Sequence, residues 1–172
     1  MGRRDGRAED FVTYASSRRR YLRRAAYLMC GDWHLADDLV QTALIKLYVA
    51  WPRIRTDGAQ DAYARRIIVR AYLDERRRPW RRERIGLDDD DRAAPDRIST
   101  EDGDALLTAL KTLPDRQRTT IVLRFWCGLS VDEVAGEMGC SVGTVKSQTA
   151  RAMVGLRNIL SADEASAERG PQ

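Results

Sequence analysis

The sequence predicts an all-α chain: two small helical domains joined by a flexible acidic linker. Three observations carry this prediction. Apolar residues recur at steps of three and four through most of the chain, which is the period of a helix face and not of a strand. Gly31, Gly128, Gly139, Pro52 and Pro79 stand where such stretches should stop. Between the helical stretches lies "LDDDDRAAPDRIST" at 87–100, with consecutive acids and almost no core-forming residue, the composition of a tether. The expected bounds are 1–84 for the first domain, 85–104 for the linker, 105–160 for the second domain and 161–172 for a flexible tail.

In the first domain Phe11, Tyr14, Ala15, Leu22, Ala25, Ala26 and Met29 make one face of a helix from about Glu9 to Cys30. Arg18, Arg19, Arg20, Arg23 and Arg24 decorate that helix, and Gly31 ends it. The next helix starts near Trp33 or His34. It carries Leu35, Leu39, Val40, Ala43, Leu44, Leu47, Tyr48 and Trp51 at helical spacing up to Pro52. "PRIRTDGAQ" at 52–60 reads as a loop, and Asp61 is placed to cap a third helix reaching about Arg78. In the second domain a helix over Ala105 to Thr112 breaks at Leu113 and Pro114, and another runs from Arg116 to Trp126.

Beyond Gly128 the chain reads as a helix, a turn and a helix. Ser130 and Glu133 have capping-box spacing, so a short helix begins at Val131, with Val131, Val134, Ala135 and Met138 on one face. Gly139 suits the left-handed residue that closes it. Ser141 can cap a last helix from Val142 to about Leu160, with Val142, Val145, Thr149, Ala152 and Leu156 facing the core. Thr144, Ser147 and Arg151 point the other way, flanked by Lys146 and Gln148. This outward set has no acid and fits either a helix entering the DNA major groove or the solvated face of an ordinary hairpin. "GCSVGTVKS" is not a phosphate-binding loop. Three residues separate its glycines where four are needed, its lysine comes late, and a helix precedes it instead of a strand.

The net charge of +4 over 172 residues hides a segregation. Residues 1–84 carry 20 Lys and Arg against 11 Asp and Glu, whereas residues 85–104 carry 2 against 8. The first half is thus suited to a polyanion. No apolar run has the length of a membrane span, and the first residues have no apolar segment of a signal peptide, so a cytoplasmic protein without membrane insertion is expected. Cys30, Cys127 and Cys140 are far apart and His34 is the single histidine, which leaves no metal-ligand pattern. No catalytic constellation, cofactor motif or small-molecule substrate pattern stands out, and the expectation is a protein that is not an enzyme.

Three blocks in order resemble regions 2 and 4 of the extracytoplasmic-function (ECF) sigma factors of bacterial RNA polymerase, in particular the short SigE-like type. They are "GDWHLADDLVQTALIKLYVAW" at 31–51, "AYARRIIVRAYLDERRR" at 62–78 and "LPDRQRTTIVLRFWCGLSVDEVAGEMGCSVGTVKSQTARAMVGLR" at 113–157. The resemblance implies a factor that binds core polymerase, recognises promoter −35 and −10 elements and helps open the −10 DNA. Asp37, Asp38, Gln41 and Lys46 would meet the clamp helices of the largest polymerase subunit. Tyr63, Arg65, Arg66, Arg70, Arg76, Arg77 and Arg78 would meet −10 DNA, with Arg81 and Arg82 on phosphates. At Arg70 the sequence departs from the family pattern, where an asparagine is usual. Residues 52–62 would form the lip of a pocket for captured bases, with Trp51 and Tyr63 as its walls or as core, and core is the first reading for Trp51.

In region 4, Ser141, Thr144, Lys146, Ser147, Gln148 and Arg151 would meet −35 DNA. Pro114, Arg116 and Gln117 would open that domain, and Arg124 would meet backbone phosphate or the polymerase flap. An anti-sigma factor is a possible further partner. The alternative reading of the same motifs is a stand-alone helix-turn-helix regulator.

Overall fold

The computed structural model describes residues 2–54, 58–77 and 101–167. Seven α-helices and no strand occur among the described residues, which makes the chain all-α as expected. The chain divides into two compact units, Met1–Asp88 and Asp89–Gln172.

The first unit is built from α1 (Gly2–Cys30), α2 (Trp33–Ala50), a short 3-10 turn at Trp51–Arg53, and α3 (Ala59–Arg77). Helix α1 starts earlier than its apolar pattern does, because the Arg, Ala and Glu residues before the pattern are good helix formers even without a buried face. Gly31 has φ 72°, the left-handed conformation expected of a helix stop, and its amide donates to the Tyr27 carbonyl at 2.7 Å. Asp32 then caps α2, its carboxylate accepting from the amides of His34 (2.7 Å) and Leu35 (3.1 Å). The three helices pack on one another around Leu22, Met29, Val40, Leu47, Ile68, Val69 and Tyr72, each 2% exposed or less. Burial of each such side chain is worth about 1.5–3 kcal/mol before the cost of ordering it.

The second unit contains α4 (Glu101–Thr112), α5 (Asp115–Ile121), a π-helical turn at Val122–Trp126, α6 (Val131–Met138) and α7 (Val142–Ala167). Helix α7 is the hub, packing on α4, α5 and α6. Thr119, Leu123, Val134, Val145 and Ala152 are fully buried there. At Gly155 a Cβ would lie 3.1 Å from the Leu113 side chain, so the bare glycine lets α7 approach the end of α4.

Two elements differ from the sequence reading. The helix expected over Arg116 to Trp126 loses α geometry at Val122. Just before that point the Thr119 and Thr120 hydroxyls donate to the carbonyls of Asp115 and Arg116, both at 2.8 Å, a side-chain pattern that bends helices. The expected tail is helical through Ala167, because its Ala and Glu content continues α7. Most of the expected linker, 85–100, lies outside the described residues, and α4 already begins at Glu101.

Candidate nucleic-acid and partner interface

On α2, steps of three and four residues align Asp38, Gln41, Ile45, Tyr48 and Val49 into one outward stripe, with Lys46 at its edge. Asp38, Gln41 and Lys46 are exposed. So are Ile45 (59%), Tyr48 (54%) and Val49 (73%), three apolar positions that sequence reasoning does not assign to any interface. Tyr48 departs from its expected place in the core. Its ring leans edge-on against Phe11 at 5.0 Å, on the wall of a groove of about 500 Å³ between α1 and α2. An apolar stripe with an acid at one end and a lysine at its edge suits an amphipathic helix of a partner.

The two acids at the start of α2 are not equivalent. Asp37 accepts from Arg23 Nε (2.7 Å) and Nη2 (3.1 Å), a bidentate pair. The same guanidinium lies 4.2 Å above the Trp33 ring, which is stacked on Tyr27 at 3.7 Å. Asp37 is thereby committed within its own unit while keeping some exposure, whereas Asp38 points outward.

Helix α3 presents Arg66, Arg70 and Arg77 on one exposed stripe, with the half-buried Tyr63 at its head and the half-buried Arg76 to one side. Arg78, Arg81 and Arg82 lie outside the described residues. The expectation that Arg65 faces DNA is corrected: it is 8% exposed. The reason is register, because Arg65 sits three, four and seven residues before Ile68, Val69 and Tyr72, in the middle of the arc that α3 buries.

Asp61 is a second correction. It does not cap α3, which begins two residues earlier, at Ala59. Its carboxylate instead accepts from the Tyr14 hydroxyl (2.7 Å) and from the Arg18 guanidinium, whose Nε lies at 3.0 Å. Burial alone would raise this carboxyl, but the Arg18 and Tyr14 hydrogen bonds, with the charges of Arg18 and Arg65, hold it below its ordinary value. The Tyr14 hydroxyl is pushed well up, first by burial and then by its bond to Asp61. The Tyr14 ring also packs on Trp51, with centroids 5.3 Å apart, and Phe11 meets the same indole at 5.3 Å. Trp51 is thus half-buried in an aromatic cluster at the edge of the core.

The helix-turn-helix forms as its capping residues dictate. The Ser130 amide donates to Glu133 Oε2 (2.7 Å), and the Glu133 amide donates to Ser130 Oγ (3.2 Å). Gly139 has φ 62°, and the next amide, that of Cys140, donates to the Ala135 carbonyl at 3.1 Å. Ser141 Oγ accepts from the Thr144 amide at 3.1 Å and lies 2.9 Å from Thr144 Oγ1, which opens α7. Lys146, Ser147 and Arg151 are exposed, Thr144 and Gln148 are half-buried, and Val145 and Ala152 are buried on the opposite side. The hydroxyls of Ser141 and Thr144 are engaged with each other in the cap, and that of Ser147 donates to the Thr144 carbonyl at 2.9 Å. Arg124 is committed locally: it donates to the Leu129 carbonyl and braces the turn before the capping box. Arg118, which sequence reasoning passes over, is buried and donates to the carbonyls of Lys111 (3.3 Å) and Leu113 (3.1 Å), closing the end of α4.

The chain is similar to known proteins in sequence and in fold. The family model for Sigma-70 region 2 matches residues 14–82, and that for Sigma-70, region 4, matches residues 103–155. The chain is 36% identical over 161 residues to the RNA polymerase sigma-E factor of Streptomyces avermitilis, covering 90% of this chain and 87% of the relative. It is 33% identical over 141 residues to the ECF RNA polymerase sigma factor SigM of Mycobacterium tuberculosis, covering 82% and 72%. Among solved structures it resembles the sigma factor RpoE of Bartonella quintana, crystallised with the anti-sigma factor NepR. That match has a TM-score of 0.73 and 25% identity over 90% of this chain and 99% of the other. The chain belongs to the ECF sigma factors of bacterial RNA polymerase. The region 2 match spans part of α1 and all of α2 and α3, and the region 4 match runs from α4 into α7.

Proposed function

We propose that the chain binds core RNA polymerase through the α2 stripe and directs initiation by contacting −10 DNA with α3 and −35 DNA with α7. The carrying observation is that both sigma regions occur in one chain, each with an outward face of the required chemistry. On α2, Asp38, Gln41 and Lys46 supply the polar contacts, and Asp37 acts mainly by fixing the helix start through Arg23. On α3, Arg66, Arg70 and Arg77 neutralise phosphates, while Tyr63 offers a ring on which an unstacked base can lie. On α7, Arg151, Lys146 and Gln148 reach for base edges and backbone, with Thr144 and Ser147 setting the first turn against the duplex.

The polymerase supplies the active site, so the factor contributes binding energy and orientation and makes no bond itself. Its place of action is that of the polymerase, the cytoplasm. The Bartonella relative was captured with an anti-sigma factor, which supports a partner of that class for this chain as well.

Run-off transcription with bacterial core enzyme on promoter fragments selected in the same mixture tests the reading. Starts should depend on this protein, and Asp38→Lys should weaken core binding by roughly tenfold, about 1.4 kcal/mol, without unfolding the domain. A folded protein that ignores core enzyme yet still selects a duplex sequence would overturn the proposal in favour of a stand-alone regulator.

A further inference from the structure

Tyr14 touches both sides of the connection between α2 and α3. Its ring packs on Trp51, which directly follows α2, and its hydroxyl donates to Asp61 in the first turn of α3 at 2.7 Å. Arg18, one helical turn along α1, grips the same carboxylate and lies 4.6 Å from the Tyr21 ring centroid, so its guanidinium is held from two sides. Arg65, buried in α3, adds a positive field at both Tyr14 and Asp61. The strip of α1 from Phe11 to Arg18 thereby fixes how far the start of α3 stands from the end of α2.

We propose that Tyr14 is a positioning residue for the −10 contact: by ring and hydroxyl it locks the head of α3 to the end of α2. This rests on the reading of α2 as the polymerase face and α3 as the −10 face. With α2 held on the polymerase, Tyr63 lies two residues beyond Asp61 and Arg66 one further turn on, so any play at Asp61 is transmitted to both. An opened strand is captured only where stacking and phosphate contacts meet it together, and loss of alignment weakens capture more than it weakens docking. Tyr14 itself touches neither nucleic acid nor polymerase in this scheme.

Tyr14→Phe keeps the ring and removes the hydroxyl. In full-length protein with core enzyme, affinity for core should stay within about twofold. Formation of permanganate-reactive unpaired thymines at the −10 element should slow on the order of tenfold, the worth of one hydrogen bond to a charged group. Asp61→Ala should slow opening at least as much. Asp61→Asn, which keeps an acceptor for the hydroxyl, should recover part of the loss, and this pair decides the matter if Tyr14→Phe proves unfolded at the assay temperature. Wild-type opening by folded Tyr14→Phe, under conditions where Arg66→Ala and Arg70→Ala open slowly, overturns the role of Tyr14. Wild-type opening by those two arginine variants overturns the −10 reading of α3, and the role of Tyr14 with it.

Discussion

Among the bonds described above, those that hold the charged side chains of the first unit mostly join helices, and those of the second unit are mostly local. In the first, the decisive bonds join different helices: Arg23 to Asp37, and Tyr14 and Arg18 to Asp61 across more than forty residues of sequence. In the second, Ser130 with Glu133, Ser141 with Thr144, Arg118 with the end of α4 and Arg124 with Leu129 all act within seven residues. The difference suits the tasks proposed for the two units. A helix that reads a groove must be well started and well aimed relative to its own neighbour, which local caps achieve. A face that docks on polymerase and captures an opened strand must keep separate helices in register under load, which requires bonds between them.

Charge reversal should break this contrast most visibly. Arg23→Glu sets two carboxylates against each other beside Trp33 and should destabilise the first unit by about 2 kcal/mol, with the second unaffected. Adding Asp37→Arg should restore most of the loss, measured by chemical denaturation with a separate probe in each unit. Ser130→Ala comes next, costing the second unit about 1 kcal/mol through the lost cap and leaving the first unit's denaturation midpoint where it was. The pH response is the finest discriminator, and it lies away from neutrality. Asp61 titrates below its ordinary value, so its stabilising contribution is complete above about pH 4 and is lost as pH falls through the depressed value. Tyr14 has the opposite sign: its contribution is present below about pH 10 and is lost above it. Thermal melts across pH should show both limbs in the first unit, and Asp61→Asn should remove the acid one.

The same contrast explains what is legible in the sequence. Gly31, Gly128 and Gly139 all adopt the positive φ expected of helix stops, and the capping box at Ser130 forms, because each depends only on nearby residues. The outward set on α7 follows from its period. Arg65 is misread when the resemblance is allowed to outrank register: it stands beside Arg66 in a matching block, yet the apolar residues around it already define a buried arc. Asp61 looks like a cap because its true partners, Tyr14 and Arg18, lie on another helix that no local spacing points to. Ile45 and Val49 escape attention because they fall outside the apolar face that helical spacing picks out on α2, and a lone exposed apolar residue carries no signal of a partner. The π-helical turn at Val122–Trp126, in which Phe125 and Trp126 are exposed, is not legible because it departs from the very period used to find helices.

The burial of Arg65 has an electrostatic consequence that the formal charge conceals. Binding to DNA releases condensed counterions in proportion to the phosphates neutralised, and only cations that reach the surface take part. Arg65 is sealed within the fold, while Arg18 and Arg23 already balance carboxylates of their own unit. What remains on the described part of α3 is chiefly Arg66, Arg70 and Arg77. In the proposed −10 contact, the described part of α3 therefore adds to the ionic-strength dependence chiefly through these outward arginines, fewer than the arginines that the helix carries.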